Sequence, residues 1–398
     1  MIKRESYMKQ IRPFIGQNIV KVLTGIRRCG KSVMLKLIQE ELLSQGICDT
    51  DFLSINFESK ATAHIHSTDS TYTYIKNFSK DKNRKIYLFF DEIQELAGWE
   101  TLVNSCMIDF DCDIYITGSN AKLLSGELAT YLAGRYVKIN VYPFSFQEVM
   151  AILPDTSETE AFQTYLRWGG MPFLYQFPMN DNSKIQYLSD IYDSIILKDI
   201  VTRNNIRDVE QFQRILLYFI SNIGNTFSSS TIIKYLKSEN RKISSETIYN
   251  YIEYCRSACL LHLVSRQDIV GKKILQFQEK IYLTDHGIRE AIYGNNNRDI
   301  GQILENIVYI ELLRRGYKVT VGKNENLEVD FVAQTNGQKI YYQVAYLLAS
   351  EETIEREFGA LRRIDDNYPK YVLSLDEFDM SRDGYIHLNL RKFLLQES

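Results

Sequence analysis

The stretch Gly25-Ile26-Arg27-Arg28-Cys29-Gly30-Lys31-Ser32 decides how the first part of the chain is interpreted. Its spacing is G-x-x-x-x-G-K-S, in which the two glycines let the backbone curl so that its N–H groups point at a phosphate chain. The lysine of this pattern supplies a charge for the β- and γ-phosphates, and the serine offers a hydroxyl to Mg²⁺. The spacing therefore predicts a phosphate-binding loop that contacts its ligand from Gly25 to Val33, with Ser32 as a metal ligand.

The residues on either side of the loop fit this prediction. Residues 19–24 are apolar and β-branched, which favours a strand, and residues 33–43 carry apolar side chains at helical spacing. The motif requires the order strand, loop and helix, and the helix N-terminus adds a dipole that favours anions. The alternative is a glycine-rich turn that binds no ligand, which the flanking strand and helix make the weaker interpretation.

A pair of acids follows a later apolar run. Asp91 and Glu92 come directly after residues 86–90, which are typical of a buried strand. Because ligands of open α/β sheets bind at the carboxyl ends of the strands, we expect Asp91 to hold the Mg²⁺ of a bound nucleoside triphosphate. Glu92 is then the general base that polarises the attacking water. The alternative for such a pair is a helix N-cap, and the phosphate loop upstream favours the catalytic interpretation.

Further polar residues are candidates for catalysis. Ser119 and Asn120 follow the predicted strand 114–117, where a polar side chain senses the γ-phosphate or orients water; the alternative is a turn capped by Asn120. Arg135 precedes the predicted strand 136–141, and it either reaches a γ-phosphate, in its own chain or in a neighbouring subunit, or lies on the surface. Arg27 and Arg28 contact phosphates, a partner subunit or nucleic acid, and the sequence leaves these alternatives open.

Composition limits the classes of function. The chain has 398 residues, 45% of them hydrophobic, which suggests two or three domains with packed cores. A net charge of −3 gives no global basic field, so any DNA contact must come from a local patch. No stretch has the length of a transmembrane helix and the N-terminus lacks a signal peptide's apolar region, so we expect a cytoplasmic protein with no membrane partner.

The predicted fold class is α/β, in four segments. Residues 1–150 alternate strand and helix patterns, which predicts a parallel sheet covered by helices, with strands at 19–24, 52–57, 86–90, 114–117 and 136–141. Residues 151–220 form a helical lid or linker. Residues 221–290 have the order of a winged helix-turn-helix, with helices from 228 and 244 and a wing around 271–273. Between 226 and 275 eight Lys or Arg stand against four Asp or Glu, which suits either a DNA groove or a protein-binding module.

The last segment, residues 291–398, contains another arrangement of acids. Glu305 lies in a helical pattern, Asp330 in a strand, and Gln343 on the next strand, which is the order of a restriction-endonuclease-like Mg²⁺ site. Ala345 occupies the lysine position of that site, and neither Lys339 nor Lys370 has the spacing to replace it. We therefore expect a restriction-endonuclease-like α/β domain whose metal site is vestigial.

Taken together, these residues resemble a prokaryotic family of AAA-type ATP-binding proteins, in which a P-loop domain is fused to a C-terminal domain of unknown function. The resemblance spans nearly the whole chain and rests on the stretches 25–32, 90–94, 116–121, 142–148, 168–172, 329–332 and 343–346. It implies ATP as the nucleotide, a sensor role at Asn120, a winged-helix segment and a restriction-endonuclease-like end.

The function expected from the sequence is a Mg²⁺-dependent ATPase whose nucleotide state controls DNA-associated C-terminal modules. One alternative is a nucleotide-gated scaffold for protein interactions that binds no nucleic acid. Another is an active, ATP-regulated DNA nuclease. The sequence leaves open whether the partner is DNA, another protein or further copies of the same chain.

Overall fold

The computed structural model describes residues 2–65, 67–80, 82, 84–121, 132, 134–176, 178–238, 241–269, 274–294, 296–324 and 327–396, with the backbone alone at 274–278 and 324. Its contacts divide the chain into two units. The first unit contains Met1–Val141 and Ser257–Cys259, and the second contains Tyr142–Arg256 and Leu260–Ser398. Each unit has a β-sheet of its own.

The first unit is built on a parallel sheet of five strands. These strands are β1 (Val20–Thr24), β2 (Phe52–Asn56), β3 (Ile86–Asp91), β4 (Cys112–Gly118) and β5 (Tyr136–Asn140), in the order β2-β3-β4-β1-β5. All four neighbouring pairs are parallel. Strands β1, β3 and β4 are buried along their whole length, as expected for parallel strands covered on both faces. The predicted α/β fold with a parallel P-loop-type sheet is confirmed.

Helices and short 3-10 turns connect these strands. The helices are α1 (Glu5–Ile11), α2 (Lys31–Ser44), α3 (Thr68–Ser79) and α4 (Trp99–Asp109). The 3-10 turns are Arg12–Phe14, Asp49–Asp51, Lys60–Ile65 and Ile93–Glu95. Fully buried side chains of the sheet, such as Val22 and Ile116, pack in one apolar core with Ile75 of α3 and Val103 of α4. This core fixes the strand ends that carry the candidate site.

The second unit begins with helices. The helices of this unit are α5 (Phe146–Ile152), α6 (Glu158–Trp168), α7 (Asp181–Ser194), α8 (Val209–Ser221), α9 (Ser229–Ser238), α10 (Ser245–Ser257), α11 (His286–Ile292), α12 (Ile300–Arg314), α13 (Glu351–Arg362) and α14 (Leu390–Leu395). A 3-10 turn covers Pro172–Tyr175, and a π-helix, Ile195–Thr202, directly follows α7. Helix α10 ends at a residue that belongs to the first unit. Among the described helices, none combines the length and the apolar character that a bilayer-spanning segment requires.

A mixed sheet of seven strands completes the second unit. Its strands are β6 (Leu261–Asp268), β7 (Ile274–Leu283), β8 (Lys318–Asn324), β9 (Leu327–Thr335), β10 (Gln338–Val344), β11 (Lys370–Ser374) and β12 (Ile386–Asn389). Their order is β12-β11-β10-β9-β8-β6-β7, and β6 joins β8 in parallel. The hairpin of β6 and β7, which the sequence assigned to the winged-helix segment, therefore continues the sheet of the segment 291–398. The predicted wing tip at 271–273 lies outside the described residues, and the four-segment division stays a prediction.

Three glycines allow a close crossing of backbone within the second unit. A Cβ atom at Gly169 would lie 2.0 Å from Asp285 Oδ1, and one at Gly287 would lie 1.9 Å from the carbonyl oxygen of Trp168. The carboxylate of Asp285 accepts hydrogen bonds from the backbone N–H of Gly170 (2.8 Å) and Gly287 (2.9 Å). Burial raises the pKa of Asp285 to about 7 despite these hydrogen bonds. These glycines thus lie at a crossing where larger residues do not fit.

Candidate nucleotide-binding site

The loop between β1 and α2 has the conformation that its glycines permit. A Cβ atom at Gly25 would lie 2.1 Å from the carbonyl oxygen of Val141 and 2.9 Å from Cys29 Sγ, so only glycine fits there. Gly30 has a φ of +103°, in the left-handed region that favours glycine. The predicted order of strand, loop and helix is therefore present, and both motif glycines have a geometric reason.

The other loop residues divide into buried and exposed ones. Ile26 and Cys29 are 0% exposed, so their side chains belong to the core and only their backbone faces a ligand. Arg28 is exposed and has a φ of +65°. Arg27 donates a hydrogen bond from Nη2 to Glu58 Oε1 at 3.3 Å. The N-cap residue of α2 is Gly30, which has no side chain to cap the helix. The N–H groups in the first turn of this helix, which is 14 residues long, fit an anion such as a phosphate.

Lys31 is held by the loop itself. Its side chain is almost fully buried, and Nζ donates hydrogen bonds to the carbonyl oxygens of Gly25 (3.1 Å) and Ile26 (3.3 Å). The same amine lies 3.5 Å from Glu92 Oε1. Ser32 and Val33, by contrast, are exposed in the first turn of α2. The lysine and the acidic pair, which are 60 residues apart in the chain, thus meet as the motif predicts.

Asp91 is fixed from two neighbouring strands. Its Oδ1 accepts a hydrogen bond from Thr117 Oγ1 at 2.5 Å, and its Oδ2 accepts one from Asn56 Nδ2 at 2.9 Å. Asn56 ends β2 and Thr117 lies near the end of β4, so the carboxyl ends of three strands converge on this carboxylate. Each carboxylate oxygen has a further lone pair, which leaves Asp91 able to ligate a metal or its water.

Glu92 is turned toward the loop by its backbone. It has a φ of +51°, and its N–H donates to Thr117 Oγ1 at 3.0 Å. Its Oε2 accepts a hydrogen bond from Gln94 Nε2 at 2.5 Å. Burial acts to raise the pKa of Glu92, but the charge of Lys31 and the hydrogen bond from Gln94 outweigh it and leave the pKa below its ordinary value. Glu92 is therefore ionised at neutral pH, as a general base must be.

The two candidates that follow β4, Ser119 and Asn120, have different surroundings. Ser119 is 0% exposed and its Oγ is 3.5 Å from Gln94 Nε2, so Ser119 is the residue after β4 that reaches the network around Glu92. Asn120 follows it and is partly buried, and its sensor role stays a prediction.

Arg135 lies at the amino-terminal ends of the strands, whereas the phosphate loop lies at their carboxyl ends. It precedes Tyr136, which pairs with Val20 at the start of β1, whereas the phosphate loop follows Thr24 at the end of β1. Four residue steps along β1, or about 13 Å, separate the two ends of the strand. This distance exceeds the length of an arginine side chain. The interpretation that Arg135 acts on a nucleotide in its own chain is wrong for this reason. A role in a neighbouring subunit stays a prediction.

Several supporting residues were missed by sequence reasoning. The buried Arg4 donates from Nη1 to the carbonyl oxygen of Cys29 at 3.0 Å, which supports the loop from α1's N-terminal side. Asn56 and Thr117 orient Asp91, and Gln94 orients Glu92. Asn56 and Thr117 gave a usable signal, because both are polar residues at strand ends that converge in a parallel sheet. Arg4 gave none.

The predicted C-terminal metal ligands are close together, but a lysine lies among them. Lys280 of β7 places its Nζ 3.1 Å from Glu305 Oε2, 2.7 Å from Glu328 Oε1 and 3.8 Å from Asp330 Oδ1. Gln343 Oε1 accepts a hydrogen bond from the N–H of Asp330 at 3.2 Å. A cavity of about 630 Å³ is bordered by three of these residues, Glu305, Asp330 and Gln343. The described side chains contain no group of three His, Cys, Asp or Glu that could hold a metal ion.

The finding of Lys280 corrects the expectation that this cluster lacks a cation. Ala345 is buried and borders the same cavity, as its position in the sequence suggested, and Lys370 instead binds Asp366 Oδ1 at 3.2 Å. Burial raises the pKa of Asp330, and the attraction of Lys280 offsets this only in part. The ammonium group therefore neutralises carboxylates that would otherwise be costly to bury.

Comparison with known proteins agrees with the loop geometry. The model of an AAA domain matches residues 17–150, and the model of a domain of unknown function (DUF8612) matches residues 159–299. The chain is 36% identical to an uncharacterised protein of Haemophilus influenzae over 100% of its own length and 99% of the relative's. The chain belongs to this family of AAA-type proteins. It is also 32% identical to an uncharacterised protein of Methanocaldococcus jannaschii, over 87% of this chain and 78% of that protein.

Solved structures are similar at a lower level. The Aeropyrum pernix ORC1 protein in complex with DNA aligns with a TM-score of 0.34 and 10% identity, over 72% of this chain and 91% of that one. The AAA-type family, together with the loop between β1 and α2, confirms the interpretation of the first unit as a P-loop domain of the nucleotide-binding kind.

Proposed function

We propose that this family member binds ATP at the loop Gly25–Val33 and hydrolyses it to ADP and phosphate. The observation that supports this most is the meeting of Lys31 with an ionised Glu92, 3.5 Å apart, beside the oriented Asp91. A cation for the phosphates, a general base and a metal-binding carboxylate are the parts that phosphoryl transfer to water requires.

A magnesium ion would be held by Ser32 and Asp91. Asp91 is positioned by Asn56 and Thr117 but keeps free lone pairs, and Ser32 is exposed at the start of α2, so both fit such a ligand. When bound, the ion would neutralise phosphate charge and polarise the γ-phosphoryl group. The N–H groups of the loop and of α2 would bind phosphate oxygens.

The chain's own residues then carry out the proton transfer. ATP binding requires Lys31 to exchange the carbonyl oxygens of Gly25 and Ile26 for phosphate oxygens. The carboxylate of Glu92, whose Oε2 accepts a hydrogen bond from Gln94, takes a proton from the attacking water as the general base. Lys31 and Glu92 form an ion pair when no nucleotide is bound. Binding of ATP breaks this pair, because Lys31 then contacts phosphate oxygens.

The test is phosphate release by the purified chain with ATP and Mg²⁺. Lys31→Ala should weaken ATP binding and abolish turnover, whereas Glu92→Gln should keep binding and lose turnover. Glu95→Gln is the matched control, since Glu95 is an exposed acid on the turn after Glu92. Hydrolysis by Glu92→Gln at the rate of the unmodified chain would show that the base is wrongly assigned.

A second proposal is that the second unit carries a DNA-binding surface controlled by the nucleotide. Helix α9 presents Lys234 and Lys237 to solvent on one face, and Lys242 is exposed just before α10. Such a local excess of positive charge supports phosphate contacts on a chain that is acidic overall. A protein partner for the same surface is the competing proposal.

ATP turnover in a salt series, with and without single- and double-stranded DNA, separates these proposals. Stimulation by DNA that fades with salt supports the DNA-binding surface. Lys237→Ala should weaken the stimulation, whereas Lys392→Ala, at an exposed lysine on the last helix, should not. If the rate of ATP turnover is the same with and without DNA at every salt concentration, the proposal of a protein partner is favoured.

A further inference from the structure

Gln94 connects the ends of two strands at the candidate site. It lies in the turn Ile93–Glu95, directly after the left-handed backbone of Glu92, which reverses the chain at the sheet edge. As a result its side chain returns to the carboxylate, with Nε2 2.5 Å from Glu92 Oε2 and 3.5 Å from Ser119 Oγ. The amide group therefore bridges the ends of β3 and β4.

The opposite end of the same amide is an unused acceptor. The NH₂ group of Gln94 donates the hydrogen bond to Glu92 Oε2, so the amide oxygen is left as an acceptor. That oxygen, Oε1, is buried and has no hydrogen-bond partner among the described residues. A buried acceptor of this kind is costly to leave unpaired, which favours a donor that enters together with the substrate.

We infer that Gln94 is a positioning residue for hydrolysis: its NH₂ group holds Glu92, and its Oε1 accepts a hydrogen from the attacking water. This inference rests on the proposed ATP hydrolysis and adds to it a second group that orients the water. In the step, the water oxygen bonds to the γ-phosphorus and the bond from that phosphorus to the bridging oxygen breaks. Glu92 takes one proton of the water, and the other hydrogen stays on the transferred oxygen, directed at Gln94.

Two substitutions separate positioning from a purely structural role. Gln94→Ala removes both hydrogen bonds, so kcat should fall by roughly tenfold to a hundredfold, while KM and the Kd for ATP stay within about twofold. Gln94→Glu keeps the size but replaces the NH₂ donor by an oxygen, so kcat should fall as in Gln94→Ala, again with KM and the Kd for ATP within about twofold. A side chain that only fills space would tolerate this change, because the two side chains are of similar size.

The controls make each outcome decisive. Glu95→Gln on the same turn should leave kcat and KM unchanged, and ATP affinity shows that each variant is folded. If the unmodified chain hydrolyses ATP and Glu92→Gln does not, an unchanged kcat in both Gln94 variants refutes this inference alone. Equal losses of rate and ATP affinity also refute it, because they indicate a structural role. Absence of any turnover that depends on Glu92 refutes the proposed function and this inference together.

Discussion

Replacing Lys280 by Met should destabilise the second unit, because it leaves carboxylates buried without their cation. The Lys280 side chain is 4% exposed and pairs with Glu305, Glu328 and Asp330. Glu328 is 33% exposed and can be solvated by water, so the cost falls on Glu305 and Asp330, at 17% and 9%. Removing one partner of a buried ion pair typically costs about 3–5 kcal/mol, and we expect the free energy of unfolding to fall by about 3 kcal/mol.

The loss should depend on pH in a defined direction. Carboxylates of buried clusters escape the cost by taking up protons, and the pKa values of Glu305 and Asp330 are already raised by burial. Without Lys280 these pKa values rise further, so the variant is stabilised at low pH and loses stability as the pH rises through them. The raised pKa of Lys280 keeps it charged throughout this range, so the unmodified chain has no matching change from the lysine. The loss should be larger at pH 8 than at pH 5.

Denaturant unfolding followed by tryptophan fluorescence measures this difference. The chain has two tryptophans, Trp99 in the first unit and Trp168 in the second, so a Trp99→Phe background reports on the second unit alone. Lys392→Met, at an exposed lysine, is the control. A loss below about 1 kcal/mol, or a loss of equal size at both pH values, would refute the reasoning from buried charge.

Three further predictions concern separate parts of the chain. Arg135→Ala should lower turnover with little change in ATP affinity, and mixing it with Lys31→Ala protein should restore activity if subunits share sites; equal losses of rate and affinity would contradict this. Plasmid incubated with Mg²⁺ or Mn²⁺ should stay uncut by the wild-type chain, and cleavage that disappears in Asp330→Ala would reverse this conclusion. Asp285, with a pKa raised to about 7, should make stability fall as the pH rises from about 4 to 7, and Asp285→Asn should flatten this dependence in melting curves.

The nucleotide loop could be predicted from the sequence because its chemistry is local. Gly25, Gly30 and Lys31 lie within seven residues, and the strand and helix on either side are visible as hydrophobic patterns. Asp91 and Glu92 end a strand, and a parallel sheet brings such ends to one edge. These predictions require no knowledge of which strands are neighbours. They require only that all the strands run in the same direction.

Partners that depend on strand order could not be predicted. Lys280 reaches Glu305 and Asp330 because the hairpin of β6 and β7 joins the sheet beside β8. No pattern in the sequence predicts that this hairpin pairs with β8. Spacing alone therefore pointed to Ala345 as the position of the cation, and neither Lys339 nor Lys370 had the spacing to replace it.

Arg135 is a different case, because the sequence contained the information needed to place it. In a parallel sheet, residues that precede a strand lie at the amino-terminal ends of the strands, and residues that follow a strand lie at the carboxyl ends. Arg135 precedes β5 and the loop at Gly25 follows β1, so parallel strands must separate them.

The pairing of β6 with β8 also determines where the gene can be divided. A fragment that begins at residue 291 would lose β6 and β7 and expose the backbone N–H and C=O groups of β8 along the register of Arg266 with Val321. Exposed strand edges of this kind recruit other chains and aggregate. Expression of the second unit should therefore start near Tyr142, where its sheet is kept whole, and insoluble shorter fragments would reflect the missing hairpin rather than an intrinsically unstable C-terminal end.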